Sequence, residues 1–272
     1  MSQAINNYLD QSERIVARIR EQTPALAEAA DRFADSILAG RIVHLFGSGH
    51  SRMLVEEMWP RYGSFPGFNP IVELSLSFHN LVVGANGQRQ AMFLEGVSGL
   101  ADRILRNFDI DERDSALIAS SSGCSITPTE MAESLRARGV SVVAIISRDH
   151  SEASSSKRTD GKKLQDFADV VLDTGAPVGD AMVQVDGLET PVAPGSTVGG
   201  CLLVNCIKAE VASRLTAAGS PPKVLTAGAV VGAERSARLF EDAYDEHAHR
   251  MARLYAKVGD AERAARNGAA DA

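Results

Sequence analysis

The chain has 272 residues and a net charge of −7, with 44% hydrophobic and 23% charged residues. That composition provides for a buried core and gives no basic footprint for a phosphate backbone, which argues against a nucleic-acid partner. Apolar runs such as 140–146 are strand-sized and too short to span a membrane, and the N-terminal stretch has no apolar signal-peptide core, so the expected compartment is the cytoplasm.

The first forty residues read as helix. Tyr8, Leu9, Ile15, Val16 and Ile19 recur at helical spacing, and Pro24 breaks or restarts the run. "RIVHLF" is a short buried strand that enters the turn Gly47-Ser48-Gly49-His50-Ser51. A helix over 51–59 stops before Pro60, and a second strand is expected at 71–74. Residues 87–108 carry one long helical pattern, with Phe93, Leu94, Val97, Leu100, Ile104 and Leu105 on one side.

"DSALIAS" is the next strand. It runs into Ser120-Ser121-Ser122-Gly123-Cys124-Ser125 and then a helix near 127–138. "VSVVAIIS" and "ADVVLDT" are apolar throughout, as strands covered on both faces of a parallel sheet are. Strand, turn and helix alternate at βαβ spacing, which predicts a doubly wound α/β fold. Residues 175–195 interrupt that rhythm, and Asp186-Gly187 marks a β-hairpin insertion. A helix follows, with Ser196 or Thr197 as its expected N-cap, and a last helix covers roughly 234–257. The expected layout is a helical segment over 1–40 packed on the core, one domain over 41–232, a C-terminal helix over 233–258 and a mobile tail over 259–272.

Two glycine- and serine-rich turns each join a predicted parallel strand to a helix. At the carboxyl ends of such strands, helix N-termini offer backbone N–H groups and serines add neutral donors, which suits a phosphate. Other phosphate motifs fit less well. Arg52 stands where a dinucleotide fingerprint needs its third glycine, and Gly161-Lys162 is followed by Lys163 instead of Ser or Thr. No GxSxG elbow is present, and Cys124, Cys201 and Cys206 form no CxxC pair. His247 and His249 are two apart on a helix and diverge, so no metal is expected.

"IVHLFGSGHS", "LIASSSGCSITPTEMAESLRARGVSVVAIIS" and "DGKKLQDFADVVLDTGAPVGDAMV" together resemble the sugar isomerase (SIS) domain family, in its branch of phosphosugar-binding proteins. The resemblance covers roughly residues 5–230 and implies a five-stranded parallel sheet flanked by helices. It further implies a phosphorylated sugar as ligand, no cofactor, and a homodimer or homotetramer with the site near the subunit interface. Ser120, Ser122 and Ser125 would hold the phosphate with backbone help from Ser121 and Gly123, while Ser48, Gly49, Ser51 and Thr197 would complete the ligand site. Cys124-Ser125 stands where the branch carries an Arg-Asn pair, which leaves the anion to neutral donors or to Arg52, Lys162 or Lys163.

Chemistry of the family type removes a proton next to a carbonyl and needs a carboxylate or histidine base. The helix bearing Glu57 before Pro60 resembles that of the etherase that acts on N-acetylmuramic acid 6-phosphate, so Glu57 is a candidate acid. Glu95 interrupts the apolar run "AMFLEGVSGL" and is expected to be buried or in a cleft, as a base or acid. His50 and His79 are further candidates, whereas His44, alternating with Val43 and Leu45, reads as core. The expected activity is elimination from an amino-sugar 6-phosphate of the N-acetylglucosamine 6-phosphate type. Aldose–ketose isomerisation and non-catalytic phosphosugar sensing are the alternatives.

Overall fold

The computed structural model describes residues 3–77, 88–256 and 258. Five strands form one parallel sheet: β1 (Val43–Gly47), β2 (Phe68–Ile71), β3 (Ser115–Ala119), β4 (Ser141–Ile146) and β5 (Val170–Asp173). Their order is β2-β1-β3-β4-β5. The chain thus moves outward from β1 to β2 and returns to the other side of β1 with β3. The crevice between the carboxyl ends of β1 and β3 is the topological switch point, where ligands bind in such sheets. β2 begins three residues earlier than the pattern suggests and contains Pro70, which an edge strand tolerates.

Alternating side chains build two cores, one on each face. Leu117 and Ala119 of β3 pack with Val43 and Leu45 of β1 beneath α1 (Gln3–Glu21), α2 (Thr23–Leu38) and α3 (Arg52–Met58). Ala116 and Ile118 face the other way, among the helices that cross there. Those helices are α4 (Leu74–Ser77), α5 (Arg89–Leu94), α6 (Leu100–Leu105) and α7 (Ile126–Ala137); α8 (Arg148–Ala153) follows β4. The single helix expected over 87–108 is two short ones, because Gly99 takes a left-handed φ of 82° between them. The stripe expected on it divides accordingly. Ile104 and Leu105 are buried, while Phe93 is 75% exposed and Val97 lies at the surface.

The insertion after β5 is a hairpin of β6 (Ala181–Val183) and β7 (Val192–Pro194), as expected. It leads into α9 (Ser196–Ala217), then α10 (Gly228–Val231) and α11 (Ala233–Tyr255). The N-cap of α9 is Gly195, not Ser196 or Thr197, and neither serine nor threonine caps the helix. Asp180 does that work: its Oδ1 accepts the N–H groups of Gly195 (3.1 Å) and Ser196 (2.6 Å), and Oδ2 accepts the Ser196 hydroxyl at 2.6 Å. Pro24 lies in the first turn of α2, where a missing N–H costs nothing, so it restarts the helical run.

At the amino end of the sheet, Asp114 ties three strands together. Arg41 donates to both its oxygens (2.9 and 2.8 Å), and His44 Nε2 lies 3.3 Å from Oδ2 while Asn69 donates to His44 Nδ1 at 3.0 Å. His44 is therefore core, as read from the sequence, but as a hydrogen-bonded polar member of it. Among the described residues no helix is long and apolar enough to cross a membrane.

Candidate functional site

The two turns meet at the switch point. Gly47 ends β1 so tightly against the following turn that an added Cβ would lie 2.5 Å from the Ser51 carbonyl oxygen. Gly49 then enters a short 3-10 turn at a φ of 57°, and Ser48 is buried beside it. Across the crevice, Gly123 (φ 63°) folds the serine turn back, its N–H bonded to the Ser120 carbonyl at 3.1 Å.

A cavity of about 230 Å³ lies between them. Ser48, Gly49, His50, Ser51, Ser120, Ser121, Ser122, Ser125, Glu95 and Thr197 all line it, so ten residues drawn from four separate segments converge. The Ser121 hydroxyl is buried there without a hydrogen-bond partner among the described residues. A buried polar group so left is costly unless something binds it. Glu95, at the end of α5, is fixed by the Ser125 hydroxyl, which donates to Oε2 at 2.9 Å, while its own carbonyl accepts the Thr127 N–H at 2.9 Å. The carboxylate is thereby held over the first turn of α7, whose partial positive charge favours anions.

Other expected residues lie elsewhere. Gly123 shapes the serine turn without lining the cavity. Glu57 is at the far end of α3, where it pairs with Arg61 and accepts from Asn205 at 2.9 Å; Leu54, one turn earlier, is the residue of α3 at the cavity. Burial disfavours the charge on Glu57, but the bonds from Asn205 and Arg61 outweigh it and hold the carboxyl below its ordinary range. Arg52 pairs with Glu56 at 3.2 Å, and Lys162 sits over the Phe167 ring, 5.2 Å from its centroid. Lys163 donates to the carbonyls of Ser151 and Ser154, closing the end of α8. None of these cations lines the cavity, so the expected cover over the phosphate is absent from them. Cys124 turns its thiol toward the Ser122 carbonyl at 3.2 Å and is buried. His79 and the tail over 259–272 lie outside the described residues.

Several lining residues carried no local signal. His150 comes from α8 beyond β4, Thr174 from the end of β5, and Asp180 and Ser196 from the two sides of the hairpin. His150 follows the next strand of the sheet at a position equivalent to the serine turn, and that equivalence was the one available clue. Gln88 and Met92 of the α5 region and Leu54, Ala119 and Ile145 complete the wall. Among the described residues no Lys or Arg lines the cavity, and no group of acids, histidines and cysteines has the arrangement of a metal site.

A model of the SIS domain matches residues 7–147 of this chain. The chain is 32% identical over 243 residues to a UPF0309 protein of Listeria innocua, covering 89% of this chain and 96% of that one. A UPF0309 protein of Brucella anthropi is 32% identical over 253 residues, covering 92% of this chain and 100% of that one. Among solved structures, the phosphoheptose isomerase of Neisseria gonorrhoeae is similar at 14% identity and a TM-score of 0.48, over 77% of this chain and 97% of that one.

Proposed function

The chain belongs to the SIS domain family, and on that premise we propose that it binds a sugar phosphate in the switch-point cavity and isomerises it by proton transfer. The observation that carries this reading is the buried Ser121 hydroxyl, without a partner among the described residues, within a turn of serines at the start of α7. The phosphate takes that hydroxyl, the neighbouring serines and the first-turn N–H groups of α7 as donors. Glu95, fixed by Ser125, removes the proton beside the open-chain carbonyl and returns it to the adjacent carbon, which interconverts aldose and ketose.

Isomerisation is favoured over elimination because the acid that would assist a leaving group, Glu57, is bonded to Arg61 and Asn205 away from the cavity. A substrate bearing a second anionic group, such as a lactyl ether, would also face Glu95 and Asp180 with no Lys or Arg among the described lining residues to offset it. Leu54 and Met92 offer an apolar wall that an N-acetyl methyl would fit, so amino-sugar and plain hexose phosphates belong in the same test.

The test is incubation with a panel of hexose, hexosamine and N-acetylhexosamine 6-phosphates in heavy water. Solvent deuterium is expected at the carbon next to the carbonyl, together with ketose product. Glu95→Gln is expected to bind the same ester and to lose roughly 10²–10⁴-fold in turnover. Binding without exchange by the wild-type protein would refute the enzyme and leave a sensor of sugar phosphates.

A further inference from the structure

His150 is a lining residue whose ring is oriented by the backbone of a distant segment. Its Nδ1 accepts the N–H of Gly179 at 3.2 Å. A ring nitrogen that accepts cannot carry the proton, so the neutral imidazole holds it on Nε2. Among the described residues Nε2 has no hydrogen-bond partner.

Both halves of this contact are anchored. On the histidine side, Arg148 N–H donates to Asp173 Oδ1 at 2.9 Å, the Ser147 hydroxyl donates to the Ala176 carbonyl at 2.7 Å, and Asp149 pairs with Arg18 at 2.8 Å. On the other side, Gly179 and Asp180 both take left-handed backbone, at φ 77° and 63°. The second is not glycine, and it is kept in that conformation by the three hydrogen bonds it accepts from Gly195 and Ser196. The turn therefore points one N–H at His150 and one carboxylate at the start of α9, and neither can swing without breaking the other side.

We infer that His150 is a further catalytic residue, a neutral imidazole whose Nε2–H donates to the substrate's carbonyl oxygen and stabilises the enediolate that forms as Glu95 takes the proton. This rests on the proposed isomerase reading. A preset donor aimed at developing negative charge needs no reorganisation during the reaction, and removing one such donor costs roughly 10²–10³-fold in kcat. The Gly179 N–H on Nδ1 orients the ring and leaves Nε2–H as its donor toward the cavity.

The experiment is performed on the full chain in two arms. Imidazole nitrogen NMR, with His150→Gln to assign the signal, is expected to show His150 protonated on Nε2; an Nδ1–H ring would overturn the inference. In the deuterium-exchange assay, His150→Ala is expected to lose roughly 10²–10³-fold in kcat with KM nearly unchanged. His150→Gln, whose amide NH₂ falls near Nε2, should recover at least tenfold of that loss, whereas His150→Asn should not. Wild-type kcat in His150→Ala, or better rescue by asparagine, would sink the role of His150 and leave the isomerase standing. A wild-type protein that exchanges no proton of any sugar phosphate would overturn the isomerase and this role with it.

Discussion

Ser121 and Glu57 show how little a residue's type says about its role until its surroundings are known. Among the described residues Ser121 has no partner for its buried hydroxyl, so Ser121→Ala should leave the empty protein as stable as before, or slightly more so, in a urea titration. The same change should weaken inorganic phosphate or sugar phosphate by roughly 1.5–3 kcal/mol in calorimetry, because a hydrogen bond to a charged group is lost. Glu57 gives the opposite pattern. Its bond from Asn205 joins α3 to α9 and its pairing with Arg61 braces the turn after α3, so Glu57→Gln should lower stability measurably and leave proton exchange within about threefold of wild type. A loss of turnover equal to that of Glu95→Gln would return Glu57 to the chemistry.

Among the elements, the parallel strands and the two turns between them were legible in the sequence because each is a local signal. An all-apolar run of strand length and a Gly/Ser cluster need no distant partner to be recognised. Helix phase and breaks were harder. One apolar stripe from Phe93 to Leu105 reads the same whether or not Gly99 enters left-handed backbone and splits it. The contribution of the hairpin was not legible, since Asp180 and Ser196 are brought together only by chain reversal, and His150 reaches the cavity only through the strand order. Close approach between elements has its own test at Gly199, in the first turn of α9. An added Cβ would sit 2.0 Å from the Thr174 carbonyl oxygen, and Thr174 is itself fixed by its N–H to Ile146 at 2.8 Å. Gly199→Ala should therefore cost at least about 1–3 kcal/mol in chemical denaturation, and it should weaken ligand binding by pushing α9 from the end of β5.

The whole molecule separates binding from anchoring along the strand axis: the cavity is at the carboxyl ends of the strands, and the Asp114 network is at their amino ends. Burial opposes a charge on Asp114, but the bonds from His44 and Arg41 outweigh it and hold the carboxyl below the usual carboxylate range. Its contribution is thus fully present above the unfolded value of about 3.9 and lost as pH falls through the lower, folded value. Asp114→Ala strands Arg41 and His44 and should cost roughly 3–5 kcal/mol at neutral pH. The gap to wild type should narrow on acidification below pH ~4, in thermal melts run across pH. The absence of Lys and Arg from the cavity lining among the described residues has a consequence for the speed of encounter. A protein of net charge −7 repels an approaching dianion at long range, and the neutral serines do nothing to draw it in. Screening shortens that repulsion to about 8 Å at physiological ionic strength. Added salt should accordingly raise the association rate constant of a sugar phosphate in stopped flow and leave its dissociation rate nearly unchanged, whereas an arginine-clamped site would slow its own capture.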